Sequence, residues 1–556
     1  MTRLTIVAAL LCAVLWPARA PAAAQGGDCA LAPFRQRLDA MHASIADWSE
    51  TDHGTIPDRQ GRPFQRIDIR YSGVLDGCVS KEGPYAGRLY DVPDISLPQE
   101  ELSTQEDYNQ PFPLPLQPGH GNTGARWYAT ARFRAEDGAG MTVLYPTGGT
   151  PWNGKLFLVQ HGSGVYPPFP ELVPRSPAEA RTDGFGGSNF AELMVDKGYA
   201  VAWLTRDGNR LGGISEAVVQ ADGTTYRTTF QDYAAHILLQ AEVAQDYIAR
   251  TLGQRPAKTY YYGKSAGGIS GRLANYAPGA NVAAGGGPII DGFLIDDAGG
   301  GRPLPVLFQG GVDVLFQDAA ARAAFVPQID VGHQLYYPAS YLAAKRENAR
   351  LLTTKGLGEK HRYYEVRSVS HFDAGQAGTV GRPDNLDLGG VMSGFIDLLD
   401  AWVDRGIAPP PSMSDVPGSV PAIALPEAAC PLGVYYPNPA SAPNDRTAAQ
   451  TTGLALFDGT DDEPLDYFGK LVDMNGNGQR DQREGLTAAW RRLGLLAPGQ
   501  EFGVEPYADC VAAAAGSLAD LGLISPELLE WYKTEAPQGG LGPLRIPGGE
   551  SMALEQ

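Results

Sequence analysis

Between Arg126 and about Arg405, apolar and polar positions alternate in two rhythms. Short apolar runs bounded by glycine, aspartate or histidine predict buried strands: "KLFLVQHG" from Lys155, "GYAVAWLTRDG" from Gly198, "KTYYYG" from Lys258, "DGFLIDDAGG" from Asp291, "LPVLFQGG" from Leu304 and "HRYYEVRSVSH" from His361. Helical periods separate them. In "FQDYAAHILLQAEVAQDYIAR", residues Ala234, Ile237, Leu238, Ala241, Ala244 and Ile248 recur every three or four positions, and "YPASYLAAKRENARLLTTKG" reads as a second helix. This alternation predicts an α/β fold, a sheet with helices on both faces.

The flanks have a different texture. Residues 25–125 are rich in proline, glycine and tyrosine with short alternating runs, and read as an N-terminal accessory region or an extension of the core. Residues 406–446 are too rich in proline for regular structure and read as an extended connection, and residues 447–556 as a helical C-terminal region. Residues 1–24 combine an early Arg3, an apolar stretch and the small-residue site Ala22-Ala23-Ala24, which predicts a signal peptide cleaved near Gln25. The expected product is exported, secreted or periplasmic, with no membrane span after cleavage.

Export changes the reading of the cysteines. Cys12 leaves with the leader, and Cys29, Cys78, Cys430 and Cys510 remain for an oxidising compartment. Three pairings are open; Cys29 with Cys78 and Cys430 with Cys510 is preferred, because two cysteines precede the central region and two follow it. A formal net charge of -19 without a basic run argues against nucleic acid or an anionic lipid surface as partner. Oligomeric state is not legible.

The candidate chemistry centres on "YYYGKSAGGISGR", residues 260–272. Its Gly-Lys-Ser invites a phosphate-loop reading, but the position five residues earlier, where such a loop needs glycine, holds Lys258. The Gly-x-Ser-x-Gly reading is complete: Gly263 and Gly267 flank Ser265, an apolar strand precedes it and small residues follow, as in a strained strand-to-helix turn that projects a nucleophilic hydroxyl. That hydroxyl needs a base and the base an orienting carboxylate. Downstream lie His333, in an expected connecting segment, His361, at the far end of a strand, and His371, directly after "YYEVRSVS", the favoured base. Asp313, in the loop after "PVLFQGG", is the favoured acid, with Asp296, Asp297 and Asp318 as competitors. The Ala266 N–H and the loop at Gly162 or Ser163 in "HGSG" are expected oxyanion donors. Lys264 and Arg272 are expected in surface ion pairs.

A second motif lies at residues 473–484, "DMNGNGQRDQRE". Asp473, Asn475, Asn477, Gln479 through its carbonyl, Asp481 and Glu484 occupy the ligand positions of an EF-hand-like loop with Gly478 at its turn, predicting a structural Ca2+ site. Arg480 stands where a paired hand carries an aliphatic residue. No organic cofactor is expected.

The elements "HGSG", "GKSAG", "GGVD" and "SHFD", in that order over about half the chain, resemble the oxyanion, nucleophile, acid and histidine loops of the α/β-hydrolase superfamily. The layout is similar to tannase and feruloyl-esterase relatives and to extracellular polyester depolymerases, although the cysteine that the tannase group carries before its serine is here Lys264. The resemblance implies an α/β-hydrolase catalytic domain over residues 126–405. It also implies serine hydrolysis of small-molecule or polymeric carboxylic esters through Ser265, His371 and Asp313. An amidase or peptidase using the same residues, and a silent binding protein on the same fold, are the alternatives.

Overall fold

The computed structural model describes residues 34–57, 62–80, 89–90, 126–133, 140–160, 193–204, 217–219, 225–227, 230–276, 279–298, 319–335, 340–370, 388–431, 456–458, 481–483 and 486–534. Its strands are β1 (Ala46–Pro57), β2 (Pro63–Ser80), β3 (Leu89–Tyr90), β4 (Arg126–Phe133), β5 (Gly140–Pro146), β6 (Lys155–Gln160), β7 (Ala200–Leu204), β8 (Ala217–Val219), β9 (Thr225–Arg227), β10 (Lys258–Lys264), β11 (Gly292–Asp296), β12 (Gln328–Leu335), β13 (His361–Ser370), β14 (Leu456–Asp458) and β15 (Asp481–Arg483). Its helices are α1 (Phe34–Ala43), α2 (Phe230–Leu252), α3 (Ala266–Tyr276), α4 (Ala319–Ala324), α5 (Ser340–Thr354), α6 (Gly389–Arg405), α7 (Pro426–Ala429), α8 (Leu486–Arg492), α9 (Val504–Asp520) and α10 (Pro526–Thr534).

One large sheet organises the chain in the order β1-β2-β5-β7-β6-β10-β11-β12-β13. From β7 to β13 every neighbouring pair is parallel, while β5, β2 and β1 join antiparallel. Three strands from the segment read as accessory, β1, β2 and β3, thus belong to this sheet, β3 pairing with β2. The mixed, mostly parallel arrangement is consistent with the expected α/β-hydrolase sheet.

Alternation along the strands builds a core on each face. On β10, Tyr261 faces the core shared with α1, α2, α3 and α5, while Tyr260 and Tyr262 face the core shared with α6 and the C-terminal helices. The predicted helical stripe holds: Ile237, Leu238, Ala241, Ala244 and Ile248 of α2 are fully buried. The proline-rich segment after α6 runs along β13, where Glu365 N–H donates to Met413 O at 2.9 Å and Ile423 N–H donates to Glu365 O at 2.8 Å. It leads to α7 and to the disulfide between Cys430 and Cys510, which ties this segment to α9 as expected. Cys78 lies on β2, whereas Cys29 lies outside the described residues. Among the described residues no helix is long and apolar enough to cross a membrane.

Candidate active site

In a parallel sheet, ligand crevices open at the carboxyl ends of strands where successive connections leave in opposite directions. Here that point lies between β6 and β10: the chain runs from β6 to β7 on one side, then returns to β10 on the other. Gly263 pairs in register with Gln160, so the carboxyl end of β6 lies beside the turn that carries Ser265.

Ser265 joins β10 to α3 in a left-handed backbone conformation, with φ of 55°. For a non-glycine residue such a conformation costs about 1–3 kcal/mol and persists only where neighbours hold it. They do so here. The Ser265 N–H donates to Asp296 O at 3.0 Å, and the Tyr261 hydroxyl lies 2.7 Å from Gly267 O and 3.0 Å from Gln160 Oε1. A β-carbon at Gly263 would lie 2.5 Å from Gly267 O, and one at Gly268 2.8 Å from both Ala298 Cβ and Gly263 O. Only glycine permits these approaches. Ser265 retains 8% exposure at the mouth of the turn.

The phosphate-loop reading fails on the same geometry. Lys258 begins a strand and pairs with Asp291 at 3.1 Å, and Lys264 is wholly buried instead of facing a ligand. The expectation of surface ion pairs is also overturned, because the partners of Lys264 and Arg272 sit on neighbouring strands inside the protein. Lys264 Nζ lies 3.6 Å from Asp296 Oδ2, to which the Tyr262 hydroxyl donates at 2.7 Å. Arg272, on α3, binds Asp330 Oδ1 through Nε at 2.9 Å and Nη2 at 2.8 Å.

His333 is likewise not in a connecting segment; it lies on β12 and is fully buried. Its Nε2 is 2.9 Å from Asp296 Oδ1, its Nδ1 3.5 Å from Asp297 Oδ2, and its backbone N–H donates to Asp297 Oδ1 at 2.9 Å. Lys345 of α5 completes the group by pairing with Asp297, whose φ of 43° is also left-handed. Burial alone would raise Asp296, but Lys264, His333 and the Tyr262 hydroxyl outweigh it and hold the carboxyl well below its ordinary range. Burial likewise opposes ionisation of Asp330, and Arg272, His361 and Gln328 overcome it to leave a value of about 2. For Lys345 burial wins over Asp297 and lowers the ammonium. His361, at the start of β13 as expected, serves this lower network, with Nε2 2.7 Å from Asp330 Oδ2.

The sequence reading missed this buried network, although one signal was available: Lys264 and Asp296 both end strands expected to be buried, and buried charges need partners. Of the predicted site residues, Ser265 and the backbone of Ala266, the first residue of α3, are placed at the turn. Gly162, Ser163, Asp313 and His371 lie outside the described residues; His371 follows directly on β13, and Asp313 belongs to the connection between β11 and β12. The apolar run at residues 304–311 also lies outside them, and the strand standing between β11 and β13 is β12. Of the calcium-loop ligands, only Asp481 is described, at the start of β15, which pairs antiparallel with β14. Asp473, Asn475, Asn477, Gln479 and Glu484 lie outside the described residues.

No family model matches the chain, and no curated protein matches it. Among solved structures it is similar to TT1662 from Thermus thermophilus at 14% identity, over 41% of this chain and 84% of that one, with a TM-score of 0.24. It is also similar to the Pyrococcus furiosus esterase Pf2001 at 10% identity over 41% and 77%, with a TM-score of 0.23. A third is the Pyrococcus horikoshii acylaminoacyl peptidase, at 11% identity over 42% and 36%, with a TM-score of 0.24. Likeness at this level carries no weight for fold or activity.

Proposed function

We propose that the chain is an exported serine hydrolase that cleaves carboxylic esters through an acyl-enzyme. The observation that carries this reading is the left-handed backbone of Ser265 between a central parallel strand and a helix, at the point where the sheet's connections diverge. In this reading Ser265 Oγ attacks the ester carbonyl, His371 takes the hydroxyl proton and returns it to the leaving alcohol, and Asp313 orients the imidazole. Water then cleaves the acyl-serine by the same proton path.

The tetrahedral intermediate needs donors aimed at its oxygen. The first N–H groups of a helix lack partners within the helix, and the N–H of Ala266 begins α3 beside the serine. The loop at Gly162 and Ser163, which follows Gln160, is assigned the second donor. The Cys430–Cys510 disulfide supports export to an oxidising compartment, as the leader at residues 1–24 predicts, and the remaining Cys29 and Cys78 are assigned to a second bridge. Residues 473–484 are assigned a structural Ca2+: their oxygen-rich donor set suits a hard cation, and α8 begins at Leu486, two residues beyond Glu484.

A panel of chromogenic esters and amides tests the assignment. Ester turnover should exceed amide turnover, and Ser265→Ala and His371→Ala should each lower it by about a million-fold, with little further loss when combined. Asp313→Asn should cost less than either. Near-normal turnover in Ser265→Ala would remove the nucleophile, and faster amide than ester cleavage would replace the substrate class.

A further inference from the structure

We propose that Asp296 and Lys264 form a positioning pair that holds the strained backbone of Ser265 in its attacking geometry. This rests on the serine-hydrolase reading and adds a role for two buried charges that the triad leaves unused.

The contacts close a ring. Lys264 and Ser265 are consecutive, the Ser265 N–H donates to the main-chain oxygen of Asp296 at 3.0 Å, and the carboxylate of that same Asp296 lies 3.6 Å from the Lys264 ammonium. Lys264 and Asp296 are also direct register partners across β10 and β11. One aspartate therefore grips the turn by its backbone and the residue before the serine by its side chain. Its carboxylate is fixed from two further directions, by the Tyr262 hydroxyl at 2.7 Å and by His333 Nε2 at 2.9 Å. His333 continues to Asp297 and thence to Lys345, so the grip is anchored in β12 and α5.

Stability alone does not account for charges at this place, because well-packed apolar residues of similar volume commonly serve a core as well as a buried ion pair does. An ion pair held also by a hydrogen bond from the Tyr262 hydroxyl and a close contact with His333 does fix geometry. Displacing a reacting atom by about 1 Å can cost about 100-fold in rate. The pair stands one peptide from the reacting hydroxyl.

The test is the second-order rate of fluorophosphonate labelling, measured well below each variant's melting midpoint so that lost stability does not enter. Wild type should label at Ser265. Lys264→Met should label about 100-fold more slowly, and its rate relative to wild type should rise as pH falls, because a proton on Asp296, deprived of the Lys264 ammonium, relieves the buried charge. Lys264→Met combined with Asp296→Asn should recover to within about tenfold of wild type, since the amide keeps the shape and removes the charge. Val511→Ala, in the remote α9, should lower the melting midpoint and leave the rate unchanged. Tyr262→Phe removes one hydrogen bond to Asp296 without unbalancing charge and should slow labelling about fivefold; it decides the matter if Lys264→Met does not fold. A Lys264→Met rate within about threefold of wild type, a deficit that neither pH nor the second substitution relieves, or an unchanged Tyr262→Phe rate would overturn the proposal. Absence of labelling in wild type would sink the hydrolase reading and this one with it. A labelled wild type with insensitive variants would sink the positioning role alone.

Discussion

Replacing Glu427 with Gln should stabilise the protein at pH 8 and leave it nearly unchanged at pH 4.5. Glu427 lies in the short helix α7, buried, with its carboxyl 3.1 Å and 3.4 Å from the Tyr532 hydroxyl of α10. Burial pushes it up from 4.5 to about 7, against the opposing hydrogen bonds from its own backbone and Tyr532. Between these values the folded chain binds more protons than the unfolded one, so stability falls as pH rises through this window and levels off above it. At 1.36 kcal/mol per pH unit the gap is worth about 3 kcal/mol, a large part of the 5–15 kcal/mol that typically separates folded from unfolded domains. Glutamine keeps an acceptor for Tyr532 and has no charge to bury. The assay is guanidinium unfolding of wild type and Glu427→Gln from pH 4.5 to 8.5. The stability difference should open with pH in favour of the variant and approach about 3 kcal/mol. A variant less stable than wild type at pH 8, or a difference independent of pH, would refute the reasoning.

Three further outcomes follow from other parts of the molecule. Gly268→Ala places a β-carbon 2.8 Å from Ala298 Cβ and Gly263 O, and should cost about 1–3 kcal/mol and lower kcat more than it raises KM; wild-type kinetics would contradict the close-packed turn. Substituting both Cys430 and Cys510 by serine opens a cross-link with a sequence separation of 80 and should cost up to about 4.5 kcal/mol by loop-closure entropy, read from guanidinium midpoints; a loss below about 1 kcal/mol would contradict it. Chelation should lower the thermal midpoint and calcium restore it, with Glu484→Gln removing most of the response; an unchanged melt in chelator would return residues 473–484 to an ordinary turn.

What the sequence made legible follows from which forces are local. β6, β7, β10 and β11 were readable because each is an apolar run buried by its own composition, β13 because Tyr363, Tyr364, Val366 and Val369 stand out among its polar residues, and α2 because its stripe recurs at helical spacing. β12 was not. Its sequence "QIDVGHQL" carries Gln328, Asp330 and His333, buried polar residues whose partners lie elsewhere: Tyr276 for Gln328, Arg272 and His361 for Asp330, and Asp296 beside His333. Those partners come from three other elements, and no window of the sequence displays such a match. The same distance concealed Lys264 and Arg272, whose charges look exposed until Asp296 and Asp330 are brought beside them. The turn at Ser265 was legible because its glycines, Gly263, Gly267 and Gly268, lie within three residues of the serine and their need is steric and local.

The central claim is that Ser265 is an activated nucleophile, and the most direct measurement is the site of covalent modification. Protein treated with a fluorophosphonate and digested should yield one modified peptide, with the adduct on Ser265, lost in His371→Ala and not protected by nucleotide with magnesium. An adduct on another serine, or protection by nucleotide, would contradict the account and return the Gly-Lys-Ser sequence to a different chemistry.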